Sequence, residues 1–122
     1  MNAQQKSIQE KCIAFGVKCA KLHKELIKKH EYNMSDQLER SATSIGAQYS
    51  EAAYAESDLD FVHKIQIAQK EGNEAIYWLK VLYRSEWIDE VSYQNLLSDV
   101  EEIMRILSSI VVKLKIRLKN PS

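Results

Sequence analysis

The side chains able to do chemistry in this chain are few and scattered. Cys19 and His23 are four residues apart and His30 follows seven later, so Cys19 and His23 can share one helix face. A zinc site needs three or four ligands, and the remaining histidine is the distant His63. There is no Cys-x-x-Cys and no His-Glu-x-x-His, and the Glu-x-x-His of di-iron bundles is missing too. Glu51, Glu71 and Glu74 could form a carboxylate cluster where a second and third helix meet. Without histidine partners, the expected role for that cluster is a structural polar network with Arg40. A nucleophilic serine would need a general base and an oxyanion hole. Ser41, Ser44 and Ser50 fall inside a helical pattern, where backbone amides are already used, so capping and packing are their expected roles. Gly16, Gly46 and Gly72 are isolated and form no phosphate loop; Gly46 and Gly72 mark close helix approach, because each has small residues around it. No catalytic residue, metal, cofactor or small-molecule substrate is therefore expected.

Cys12 and Cys19 lie seven residues apart, about 10 Å along one helix at 1.5 Å per residue. Disulfide partners need Cα atoms within about 7 Å, so both are expected as reduced thiols of a cytoplasmic protein, packed as small hydrophobes.

The elements that must position these residues follow from apolar spacing. Steps of four and three recur in four segments: Ile8 to Leu26, Leu38 to Ala52, Phe61 to Leu82 and Tyr93 to Leu118. That period is a helical seam, and no strand-like alternation competes. Ser35, Ser57 and Asp89 are candidate N-caps, with Asp60 completing a capping box after Ser57, and Pro121 ends the chain's helical stretch. The spacing predicts helices near 4–30, 36–56, 59–86 and 90–118 in a single domain over 1–122. Short loops make successive helices antiparallel, so the expected fold is all-α, an up-down-up-down four-helix bundle. The fourth seam is read as Tyr93, Leu97, Val100, Met104, Leu107, Val111, Leu114 and Leu118.

One seam per helix does not use all the apolar residues. The first helix also carries Ile13, Val17, Ala20 and Ile27, and the third carries Tyr77 and Trp78 away from its seam. Exposed apolar surface of this kind marks interfaces, and aromatics are favoured anchors there. Tyr54, Tyr77, Trp78 and Tyr83 are accordingly the expected subunit contacts of a homo-oligomer.

Seventeen basic and seventeen acidic residues cancel, so no whole-molecule attraction to nucleic acid or membrane is expected. The charges are nevertheless segregated. Residues 1–34 carry a net +4 and residues 35–56 a net −3, and from Arg105 onward there are five basic residues and no acid. Lys18, Lys21, Lys24, Lys28 and Lys29 gather toward the end of the first helix, and Lys113, Lys115, Arg117 and Lys119 toward the end of the fourth. Cations suit both places through the helix dipole. The same lysines and arginine are the candidate contacts to RNA or DNA phosphates.

Two segments carry a family resemblance. The run Gln37-Leu38-Glu39-Arg40-Ser41-Ala42-Thr43-Ser44-Ile45-Gly46-Ala47-Gln48-Tyr49-Ser50-Glu51-Ala52 resembles the second-helix signature of the "four helix bundle protein" family, whose other name comes from intervening sequences in bacterial 23S rRNA genes. Phe61 to Ala68, with Glu71, Glu74, Tyr77, Trp78 and Leu79, resembles its third-helix signature. The family is similar to the accessory protein of diversity-generating retroelements. The resemblance implies an up-down bundle assembling as a ring, commonly a pentamer, with no enzymatic activity. Its retroelement members are basic and bind nucleic acid, whereas this chain is neutral and has Gln48 where the signature has Asn. The expected function is a non-enzymatic homo-oligomeric bundle with RNA or DNA as the candidate ligand of its basic ends. The alternative is a protein–protein scaffold with no nucleic-acid role.

Overall fold

The computed structural model describes residues 1–120, and Pro121 lies outside them. Four helices account for the fold: α1 (Ala3–Lys28), α2 (Asn33–Ala52), α3 (Asp58–Arg84) and α4 (Glu90–Lys119). Cross-helix pairs set their directions. Lys11 reaches Glu102 while Lys18 reaches Asp99, Gln9 meets Ser50 while Gly16 faces Thr43, and Gln69 meets Ser108 while Gly72 faces Met104. In each set the number rises along one helix and falls along the other, so α1/α4, α1/α2 and α3/α4 are antiparallel. Packing is closest between α2 and α3 and loosest between α1 and α4.

The seams meet in one core, with Phe15, Leu26, Leu38, Ile45, Ile65, Leu79, Leu82 and Leu107 almost wholly buried. In α4 the buried stripe is rotated from the expected one. Leu96 and Ile103 are buried, Leu97 and Met104 are only half-buried, and Leu118 is exposed. Met104 lies over Gly72, where an added Cβ would collide with its sulfur, so the Leu97–Met104 edge turns toward α3 and its neighbour edge faces the core. Gly46 brings α1 and α2 together, since a Cβ there would stand 3.2 Å from Cys12 Cβ.

Two helix starts follow the expected chemistry. Asp89 accepts the Ser92 amide at 2.7 Å, and Ser57 accepts the Asp60 amide at 3.1 Å. The Asp60 carboxylate reaches back to the Glu56 amide rather than to Ser57, so the box closes one residue early. The start of α2 corrects the sequence expectation. Ser35 is not its N-cap; the helix begins at Asn33 after Tyr32, which makes no side-chain cap. Glu31 does the work, accepting the Met34 amide at 3.0 Å and the Ser35 amide at 2.7 Å. This is possible because α1 stops early. His30 takes a left-handed φ of 67°, the Glu31 amide returns to the Leu26 carbonyl and the His30 amide to that of Ile27, a Schellman turn. α3 ends likewise at Glu86, with φ 68° and the Trp87 amide on the Leu82 carbonyl.

Candidate assembly face

On α1, Gln9, Ile13, Val17, Ala20 and Ile27 fall within an arc of about 80° at 100° per residue. That arc looks outward beside α2. Ile13 and Val17 are each 46% exposed. Opposite them α2 offers only small side chains, Thr43, Gly46, Ala47 and Ser50. Gly46 lets the helices approach, and the surface between them is a furrow of about 340 Å³ with no charged residue in its lining. At its lower end the Gln9 amide bonds Ser50 Oγ, and Gln9 Oε1 is buried without a partner among the described residues. Cys12 forms part of the wall. Burial pushes its thiol up to about 11 and that of Cys19 to about 12, so both stay protonated and unreactive at neutral pH.

The opposite flank of α1 is finished within the chain. Lys11 Nζ lies 2.7 Å from Glu102, and Lys18 Nζ lies 2.7 Å from Asp99 and 3.1 Å from Asn95 Oδ1. The hydrogen bond and charge of Glu102 raise the Lys11 ammonium, and the same contact lowers the Glu102 carboxyl. Lys18 is thereby tied to α4 rather than free for a phosphate.

The remaining expected site residues fall in several places. Arg40 does not join Glu71 or Glu74 within the chain. It is exposed, and its Nε pairs with Asp36 at 3.0 Å, one turn away on the same face of α2. Glu51 is exposed as well. Glu74 Oε2 instead lies 3.5 Å from the Ser41 hydroxyl, which donates to the Gln37 carbonyl at 3.0 Å. Burial, then the neighbouring Glu74, raises the Glu71 carboxyl. The expected four-residue network is therefore not assembled in one chain, because a partner four residues away on its own helix reaches Arg40 first.

Of the aromatics, Tyr83 is engaged internally, stacked on Tyr93 with ring centroids 4.3 Å apart. Trp78 is half-buried against the core and meets Tyr77 edge-on at 5.0 Å. Tyr77 and Tyr54 are exposed, Tyr54 at 87%. Of the basic residues, Lys28 pairs with Glu25 at 3.3 Å and Arg117 lies 3.8 Å from Asp58. Lys21, Lys24, Lys29, Lys113, Lys115 and Lys119 form no ion pair among the described residues.

A constellation with no sequence motif to mark it sits at the α1–α2 turn. His23 Nδ1 is 2.6 Å from Ser35 Oγ, and His23 Nε2 is 3.6 Å from Glu39. The order Ser–His–Glu has the outline of a catalytic triad. However, Ser35 is wholly buried and its hydroxyl also bonds the Glu31 carbonyl at 3.2 Å, so no substrate carbonyl can reach it. The cluster ties α1 to α2. The furrow was half visible in the sequence as surplus apolar positions on α1; its α2 wall, made of small residues, left no hydrophobic signal. Among the described residues no group of three or more His, Cys, Asp or Glu is placed to hold a metal ion. Nor, among them, is any helix long and apolar enough to cross a membrane.

Comparison with known proteins gives the lineage. Residues 4–109 match the family described as 23S rRNA-intervening sequence protein. A crystal structure at 1.70 Å of a protein with unknown function from the S23 ribosomal protein family of Bacteroides thetaiotaomicron VPI-5482 is similar, at 42% identity. That match covers 85% of this chain and 97% of the other, with a TM-score of 0.84. No curated protein matches significantly. Neither finding names a reaction. With the family matched from Gln4 to Ser109 and the four-helix fold shared, the chain belongs to the 23S rRNA-intervening sequence protein family.

Proposed function

We propose that this chain is a non-enzymatic assembly module, a bundle that associates with copies of itself through the α1/α2 furrow. The observation that carries the reading is the furrow itself, which leaves Ile13 and Val17 half out in water beside an uncharged wall of small side chains. Apolar surface left exposed in this way favours burial by about 25 cal/mol per Å². The five-membered ring implied by the family resemblance is the expected closed form, since soluble homo-oligomers close by rotation. Sedimentation across the micromolar range tests the reading. Species at multiples of the 14.1 kDa chain mass are expected, and a single species at that mass sinks it.

A second reading, RNA or DNA binding, is supported by α1's outward end. Lys21, Lys24 and Lys29 are exposed there and form no ion pair among the described residues. Assembly repeats such a cluster in every copy and converts weak contacts to avidity. Filter binding at several salt concentrations measures it. Log affinity should fall linearly with log salt, by about 0.9 per duplex phosphate neutralised; no binding at low salt leaves the scaffold reading alone.

A further inference from the structure

The family match stops at residue 109, yet α4 runs on to Lys119. The ion-pair register explains what that extension lacks. Lys11 stands opposite Glu102, and α1 begins at Ala3. At equal rise per residue, α1 therefore begins near the level of Ile110, and the turns of α4 beyond it have no α1 beside them. Val112 and Ile116 are each 57% exposed there, four residues apart on one face, and Lys113, Lys115, Arg117 and Lys119 surround them with no acid in the segment. An apolar pair inside a ring of cations asks for an apolar surface with anions.

The chain itself contains that surface at the same pole. Residues 51–60, the corner joining α2 to α3, hold Glu51, Glu56, Asp58 and Asp60 and no base. Tyr54 at 87% and Leu59 at 67% are among the most exposed large apolar side chains. The contact of Arg117 with Asp58 at 3.8 Å places the two patches at one height. It is also the only ion pair between them among the described residues, so most charges of both patches face outward. Patches of opposite kind at equal height can meet between copies related by a rotation alone, with no axial slip, which is what a closed ring requires.

We propose that the basic end of α4 in one copy docks on the acidic α2–α3 corner of the next, Val112 and Ile116 against Tyr54 and Leu59, with Lys113 and Lys119 facing Glu51 and Glu56. The inference rests on the self-association proposed above and adds a heterologous, salt-sensitive contact to it. Two double variants test it: Lys113→Glu with Lys119→Glu, and Glu51→Lys with Glu56→Lys. Each alone is expected to weaken self-association roughly tenfold at low salt. Combining all four reversals in one chain restores it, because every acidic end then finds a basic corner on the next copy whatever the size of the ring. High salt removes the difference. If reversal frays α4, seen as lost ellipticity, Lys113→Gln with Lys119→Gln reads the same contact. An assembled wild type with both variants unchanged overturns the inference and leaves the furrow reading standing. Weakening by the basic-end variant alone, with the acidic-corner variant like wild type, also overturns it and gives that end to an external polyanion such as RNA or an anionic lipid surface. A monomeric wild type removes the self-association reading, and this inference with it.

Discussion

On the flank of α1 that faces α4, Lys11 and Lys18 extend over the groove to Glu102 and Asp99, and the chain completes its own surface. On the flank beside α2, Ile13, Val17 and Ala20 border a furrow with no charged group at all. The same helix is thus finished on one side and left open on the other. The helix pair that packs loosely, α1 with α4, is bridged by long polar side chains, because salt bridges span a gap that methyl groups cannot fill. The α1–α2 pair is drawn together at Gly46, and its outer surface stays apolar because nothing polar is needed between helices that already touch. The polar flank is satisfied within the chain, and the apolar flank is left in water.

The contrast can be broken most severely at the furrow floor. Gly46→Val would put methyl groups into a space where even a Cβ stands 3.2 Å from Cys12 Cβ. Overpacking of that kind costs about 1–3 kcal/mol, so denaturant titration should show a lower midpoint and the furrow should open. Wild-type stability would mean that α1 and α2 are not in close contact there. Next in size is the turn that sets the angle between those helices. Glu31→Gln keeps the shape but removes the charge and one of the two acceptor oxygens that cap α2, and loss of a cap costs about 0.5–2 kcal/mol. Burial pushes the Glu31 carboxyl up, but bonds from the Met34 and Ser35 amides outweigh it and hold it below the ordinary carboxylate value. A lowered value in the folded state means its contribution is present above the unfolded carboxylate pKa and disappears as pH falls through the folded one. Acid titration of stability should therefore be flatter in Glu31→Gln than in wild type, and identical curves would remove this role.

The polar flank should yield less. A double-mutant cycle on Lys18 and Asp99, both partly exposed, should give a coupling of at most about 1 kcal/mol; a larger value would make this flank as essential as the core. Smallest of all is the Lys11–Glu102 pair. The Lys11 hydrogen bond, then its charge, lowers the Glu102 carboxyl, so the contact is present above the ordinary carboxylate range and fades as pH falls through the lowered value. Nuclear magnetic resonance titration of Glu102 should show that lowering vanish in Lys11→Ala, and an unchanged titration would deny the pair.

Much of this architecture was legible in residue spacing. Four stripes at helical period gave four helices, and Asp89 and Ser57 announced two helix starts because a side-chain oxygen followed by free amides is a local signal. The start of α2 was not legible for an equally physical reason. The left-handed residue that ends α1 is His30 rather than glycine, and the cap is Glu31, which lies outside the helix it caps and looks like one more residue of α1. The cluster of Glu71 and Glu74 draws the expectation for Arg40 toward α3, but Asp36, one turn away on the same face, pairs with it within the chain. Tyr83 stands off the seam on a single-helix wheel and so reads as a subunit contact, whereas its stacking on Tyr93 depends on how α3 and α4 face each other. The surplus of Ile13, Val17, Ala20 and Ile27 was visible, but that they border a furrow depended on Gly16 and Gly46 falling at the crossing with α2.

The central claim is that the apolar flank of α1 is a contact between copies. Light scattering coupled to size exclusion tests it directly, on wild type and on Val17→Lys, a change at a half-exposed position that leaves the core untouched. The account predicts an assembled wild type and a Val17→Lys variant, equally helical, at the 14.1 kDa chain mass. A wild type at that mass at micromolar concentration, or a Val17→Lys variant that still assembles, would contradict it.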